Sequence, residues 1–314
     1  MSASANERAS LTRSAALASI AVAALLAGIK LWAVWRTGST AMLGSLADTL
    51  LDLVASIATL AGVRIAAQPA DAEHRFGHGK AEALAAMFQV VLIAFSAAGI
   101  LFRAVDQLLA GARTEAAGDG IVVSMIAILA TLALLAWQRH VIRKTGSLAI
   151  STDHLHYQSD LALNLAVIAA LALDQYAHLG GADAAFGIVI ALWLGWGAFR
   201  ASREAVNQIM DREWPDEKRE ELLAVLARNP DLRGVHDLRT RTSGAHDFAQ
   251  FHASVDPAMT VERAHDVVDA IEEEVERAFP GIEVLVHLDP ANREREDGLA
   301  TEELLPGKSD HSGG

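Results

Sequence analysis

Two pairs of ionisable residues stand at one-turn spacing inside long apolar stretches. Asp48 and Asp52 fall within Gly44-Ser-Leu-Ala-Asp-Thr-Leu-Leu-Asp-Leu, and His156 and Asp160 within Asp153-His-Leu-His-Tyr-Gln-Ser-Asp. On a helix, residues four apart project from one face. If these stretches cross a bilayer, each carboxylate near its centre costs about 2.5–3.5 kcal/mol on the insertion scale. Apolar packing does not account for three of them, and an intramembrane ionisable group points to function with a partner of its own. A cation fits as that partner. One imidazole nitrogen and three carboxylates can surround a single ion tetrahedrally, and Zn²⁺ accepts such nitrogen and oxygen ligands. The same pairs could instead tie helices together by hydrogen bonds or pass protons without a metal. Gly44, Ser45, Ala47 and Ser56 are small enough to let helices approach closely, and Asn164 continues the polar stripe of the second pair. His154 lies two positions from His156, about 200° around the helix, and is read as non-ligating.

The elements that must position these groups follow from composition. The 314 residues are 52% hydrophobic, with a mean hydropathy of +0.26, which few soluble domains reach. Six apolar stretches, at residues 14–36, 40–66, 82–109, 119–142, 148–174 and 182–206, are long enough to span a hydrocarbon core about 30 Å thick. They lack the one-sided polarity of helices packed in water. Four segments result: a cytoplasmic N-terminal segment (1–13), a six-helix transmembrane domain (14–210), a soluble domain (211–290) and a tail expected to be disordered (291–314). No cleavable signal is expected at the front.

Lys and Arg set the orientation. With the N-terminus inside, the inner flanks hold Arg8, Arg13, Arg64, Arg75, Lys80, Arg139, Arg143, Lys144, Arg200 and Arg203, and the outer flanks hold Arg36, Arg103 and Arg113. Both termini and the soluble domain are then cytoplasmic. That domain reads α-β-β-α-β: a helix at 216–228, strands at 233–242 and 247–255, a helix at 260–279 and a strand at 282–287. Thr260 begins the second helix with Arg263 where a full capping box has Glu or Gln. Trp193, Trp196 and Trp214 are read as bilayer or interfacial groups. With no cysteine, metal chemistry is left to His and carboxylates. A net charge of −13 without an extended basic patch excludes nucleic acid as a natural partner.

The paired Asp-x-x-x-Asp and His-x-x-x-Asp motifs resemble those of the cation diffusion facilitator family. So does the loop Asp71-Ala-Glu-His74-Arg-Phe-Gly-His78, above all Phe76-Gly-His-Gly-Lys-Ala-Glu82. The likeness covers residues 12 to 290 and is strongest to the bacterial ferrous-iron and zinc efflux pumps. It implies a proton-coupled antiporter of the bacterial inner membrane. Such a carrier is a homodimer with a cytoplasmic metallochaperone-like domain, transports Zn²⁺ and also Cd²⁺ or Fe²⁺, and has no organic cofactor and no enzymatic activity. Carried over by position, the resemblance implies a transport site at Asp48, Asp52, His156 and Asp160, and a loop site at Asp71, His74 and His78. It implies a regulatory Zn²⁺ site at His236, His252, His265, His287 and Asp289. Leu155 matches a gate beside the transport site, and Lys80 and Asp211 match a charge pair of the dimer. Leu288 stands where the family usually has a polar residue between the last His and Asp.

On residue type alone the outer sites are open. Asp71, His74 and His78 fit a metal and equally a solvated loop, and the five C-terminal positions are scattered in sequence. A membrane-bound metal sensor without transport is the rival reading, and two charged spans weigh against it. A metalloenzyme is disfavoured by the lack of a His-Glu-x-x-His motif and of a Gly-x-Ser-x-Gly elbow.

Overall fold

The computed structural model describes residues 5–37, 40–110, 121–177, 182–291 and 303–305. They form two compact units that meet in sequence at Ile209 and Met210. The first holds six long helices: α1 (Ala5–Thr37), α2 (Thr40–Ala66), α3 (Ala81–Ala110), α4 (Ile121–Thr145), α5 (Leu148–Ala177) and α6 (Ala182–Ile209). Five of them, all but α5, are long and apolar enough to cross a membrane. Helix α5 carries Asp153, His154, His156 and Asp160 in its first half, and these lower its apolarity. The N-terminal segment expected over 1–13 is corrected for residues 5–13, which are the first turns of α1. Neither Gly nor Pro interrupts this stretch. Its hydroxyls return to their own helix, with Ser10, Thr12 and Ser14 donating to the carbonyls of Glu7, Arg8 and Leu11.

The bundle is built inside out relative to a soluble protein. Alanines such as Ala15, Ala16, Ala83 and Ala86 are fully buried, whereas Phe95, Phe102, Trp196 and Phe199 are exposed. Large apolar side chains lose nothing by facing lipid, and small ones let backbones close up. A Cβ at Gly62 of α2 would collide with Ala85 of α3. The bundle centre is polar. Buried Asp153 accepts hydrogen bonds from Ser19 Oγ (2.6 Å), Gln89 Nε2 (2.8 Å) and Gln138 Nε2 (2.8 Å), linking α5 to α1, α3 and α4. Gln89 also donates to Thr59 of α2, and the Tyr157 hydroxyl meets Ser56 Oγ and the Ser19 carbonyl. A buried carboxylate with three donors is satisfied without a metal.

The second unit holds α7 (Asp216–Leu226), β1 (Gly234–Ser243), β2 (His246–Val255), α8 (Val261–Ala278), β3 (Ile282–Pro290) and β4 (Glu303–Leu305). The sheet order is β3-β2-β1-β4; β1 runs antiparallel to β2 and β4, and β2 parallel to β3. The αββαβ reading therefore gains a fourth strand. The expectation of disorder over 291–314 is corrected at residues 303–305, which use the free edge of β1. Alternation on β2 sends Ala249, Phe251, Ala253 and Val255 into the core with Leu222, Leu226, Val267, Ile271 and Val275 of the two helices. Leu288 packs against this core, on the face opposite to any polar role. Trp214 is corrected from an interfacial group to a core residue, 5% exposed, with its indole N–H on Thr242 and the Lys218 ammonium 3.8 Å above its ring. Thr260 caps α8 by accepting from the Arg263 amide, with no reciprocal side-chain bond among those described.

Candidate functional site

Helices α2 and α5 bring three ligand groups together in the first unit. His156 Nε2 lies 2.8 Å from Asp52 Oδ1. Ligand atoms of Asp52, His156 and Asp160 all fall within 4.8 Å of one another. The one-turn spacing on α5 stacks His156 above Asp160, and Asp52 meets them from α2. Asp48 is the exception to the four-ligand expectation: it is exposed and stands outside that group, one turn nearer the start of α2. It nevertheless lines the same cavity. That cavity, of about 570 Å³, is bounded by Asp48, Asp52, His156, Asp160 and, farther out, Arg103 and Gln107. Its walls come from the first half of α2, the last half of α3, the middle of α5 and Gly187 of α6. It thus runs from the ligands toward the end of the bundle where α3 and α5 finish. On the other side of the ligands lie the buried Asp153, Gln89, Thr59 and Tyr157.

Neighbouring residues sort by face. His154 turns to α4, where its Nδ1 is 3.1 Å from Gln138 Oε1. Asn164 donates to the Asp160 carbonyl of its own helix rather than extending a ligand row. Leu155 does not line the cavity; it packs among Val90, Ile93, Ala97, Leu194 and Ala198 of α3 and α6. Gly197 makes room for it, since a Cβ there would lie 2.8 Å from the Leu155 side chain.

In the loop after α2, Asp71 Oδ1 accepts from the amides of Glu73 and His74 (2.9 and 2.7 Å). These bonds, the His74 amide foremost, hold the Asp71 carboxyl below the usual carboxylate range. His74 Nδ1 and His78 Nε2 approach its two oxygens at 3.6 and 3.3 Å. Two imidazoles and one carboxylate suit a borderline divalent ion. Lys80, just beyond, donates to the Ile209 carbonyl at 3.0 Å. In the second unit, Asp211 adopts a positive φ of 53° and lies 3.4 Å from Arg241.

The scattered C-terminal histidines become one row through strand register. His236 on β1 faces His252 on β2, which faces His287 on β3. The ring centroids are 5.3 and 4.5 Å apart. Asp289 anchors the row: its Oδ2 is 3.2 Å from His236 Nε2 and 2.9 Å from His252 Nδ1, and its Oδ1 is 3.4 Å from His287 Nε2. His265 is corrected out of this set. It sits on α8, 75% exposed, beside Asp269.

Three residues escaped the sequence reading. Asp153, quoted only as context, is the buried hub of the bundle. Asp237 sits at a bulge in β1 with φ 51° and brings Oδ2 to 3.7 Å from His252. Lys30 of α1 reaches α2, with Nζ 2.5 Å from Thr49 Oγ1. A charge within an apolar span was the available signal for Asp153 and Lys30; Asp237 carried none.

Residues 16–210 match the family described as the cation efflux transmembrane domain, and residues 214–291 the cation efflux protein, cytoplasmic domain. The chain is 43% identical to the cation-efflux pump FieF of Klebsiella pneumoniae over 282 residues, 90% of this chain and 94% of that one. It is 42% identical to FieF of Cronobacter sakazakii over the same shares. Among solved structures, the metal-bound C-terminal domain of the CzcD transporter from Thermotoga maritima is 27% identical. It covers 26% of this chain and 100% of that one, with a TM-score of 0.25.

Proposed function

We propose that this chain, which belongs to the cation efflux family, exports Zn²⁺, and also Cd²⁺ or Fe²⁺, across the bacterial inner membrane in exchange for protons. The observation that carries the reading is the convergence of Asp52, His156 and Asp160 at the base of a cavity between helices. An imidazole among carboxylates favours Zn²⁺ over harder ions such as Mn²⁺. Asp48, on the cavity wall, is placed to complete four-coordination once its carboxylate swings inward.

Metal binding needs neutral His and ionised carboxylates, so cargo and protons compete for the same lone pairs. Loading from the cytoplasm displaces protons. Exposure to a more acidic exterior returns them, chiefly to His156, and frees the ion. The Lys/Arg bias supports cytoplasmic termini, which requires α5 to cross as well and brings the spans to six, with its polar first half shielded by neighbouring helices. On that orientation the cavity opens outward, and the hydrogen-bonded cluster around Asp153 closes the inner side. Leu155, packed against α3 and α6, fixes the height of His156 beside the site.

The loop residues Asp71, His74 and His78 offer a second site on the cytoplasmic side. His236, His252, His287 and Asp289 fit a regulatory Zn²⁺, since two imidazole nitrogens already converge on one carboxylate oxygen. A metal held there would neutralise part of an acidic surface and favour pairing of two cytoplasmic domains in a homodimer. Lys80 and Asp211 are the residues proposed to tie the dimer at the membrane surface.

The test is metal-driven proton flux in proteoliposomes. Asp52→Ala and Asp160→Ala should each abolish it while the protein remains folded. Wild-type flux in either variant overturns the assignment.

A further inference from the structure

Lys30 places a positive charge in α1, a helix otherwise apolar from Ala15 to Trp35 but for Ser19. Its ammonium bonds to neutral oxygens of α2: Thr49 Oγ1 at 2.5 Å and the Ser45 carbonyl at 3.2 Å. Thr49 itself leans back on the Ser45 carbonyl at 3.1 Å, so the seat is a preformed pair of acceptors. The seat is one residue from Asp48 and three from Asp52. The ammonium interacts electrostatically with Asp52, Asp160 and Asp48. It is therefore close enough to act on the ligands, yet it occupies no ligand oxygen.

We propose that Lys30 is a tethered counter-charge that weakens the hold of the transport site on its divalent cargo and so speeds release. This inference rests on the transport reading above. With the metal bound, the carboxylates of Asp48, Asp52 and Asp160 are ionised. Three carboxylates and one ammonium leave two negative charges, which one divalent ion neutralises. Without Lys30 the loaded site keeps an unmatched negative charge: it grips the cation harder, and the loaded span is costlier to hold in lipid. After release, the fixed ammonium remains to offset the emptied carboxylates. Bonding to Thr49 and Ser45 rather than to a carboxylate keeps the cation from becoming a permanent plug.

The full-length chain, titrated with Zn²⁺ by calorimetry, provides the test. Asp52→Ala serves as the reference to subtract, because it leaves the loop and cytoplasmic clusters in place. Lys30→Met should tighten zinc binding about tenfold, with KM and maximal flux in proteoliposomes falling together. Lys30→Gln keeps a donor for Thr49 and Ser45, so the helix contact survives, and it should show the same tightening. Lys30→Arg should return affinity toward wild type. A purely structural pin predicts weaker binding in Met, rescue in Gln and no tightening in either. Unchanged or weaker zinc binding in the folded Gln variant overturns the proposal, whatever Met does. If the wild-type chain moves zinc, Asp52→Ala does not, and Gln is unshifted, only the role of Lys30 fails. If the wild-type chain neither binds nor moves zinc, the transport reading fails and takes this inference with it.

Discussion

The membrane cluster and the cytoplasmic histidine row use similar donors on opposite kinds of frame. Asp52 faces His156 and Asp160 across two helices that share few backbone constraints, beside an open cavity. His236, His252 and His287 stand on three adjacent strands whose ladders fix every neighbour. Helices can tilt or slide while keeping their own hydrogen bonds, so the first arrangement can be made and unmade during a cycle. Strands cannot shift without breaking the ladder, and a one-residue slip turns each side chain to the other face. The difference separates a site suited to handing an ion onward from one suited to holding it.

The largest expected effect breaks the comparison on the membrane side. Removing Asp52, proposed above as a direct ligand, by Asp52→Ala should lower flux by more than the roughly 10–100-fold typical of groups that only orient a ligand. His252→Ala should leave maximal flux in place, and both are read in the same vesicle assay. Next comes the frame itself. Asp153→Ala strands donors from Ser19, Gln89 and Gln138. Each buried donor left unmade costs about 1–3 kcal/mol. Thermal unfolding in detergent should show a marked drop for this variant and little for Asp52→Ala. An unchanged midpoint would mean the cluster does not hold that half of the bundle together.

Much of this frame was legible in sequence, for reasons that differ by region. The helices were visible because a membrane span demands a long apolar run, and the Asp48/Asp52 and His156/Asp160 pairs because a charge in such a run stands out. What one-turn spacing could not give was depth. Asp48 and Asp52 share a face, yet only Asp52 reaches the level of His156, and that is set by how α2 packs on α5. The fate of Asp153 depends on Gln89 and Gln138, which are unremarkable until the helices meet. In the cytoplasmic unit, helix and strand positions followed from Pro and Gly punctuation. The histidine row did not, because register between β1, β2 and β3 joins residues far apart in sequence. His265 already fell on an expected helix while the other three fell on expected strands, and α8 bears that placement out. Residues 303–305 gave no sign of pairing with β1.

Three finer measurements sharpen the contrast. His156→Asp should raise Mn²⁺ transport relative to Zn²⁺ by about tenfold, because an all-oxygen set favours harder ions; an unchanged competition profile removes the selectivity argument. Replacing His236 and His287 together should move the metal concentration for half-activation a few-fold upward, leaving the maximum intact. A loss of maximum without a shift would assign the row a structural role. The smallest effect concerns pH. Asp71 is depressed by the His74 and Glu73 amides. Its turn is therefore fully supported above the ordinary carboxylate range and lost as pH falls through its own lower value. Nuclear magnetic resonance titration should show Asp71 still ionised after ordinary aspartates have protonated.

The missing β-carbon at Gly197 links two positions that are 42 residues apart in the numbering. Leu155 fills the space it leaves, at distances no ordinary side chain there would tolerate. Relatives that acquire an alanine or serine at this point of α6 should carry a slimmer residue than leucine immediately before the histidine at position 156. A pair of substitutions at these two places, each harmful alone and neutral together, would be the evolutionary signature of the contact.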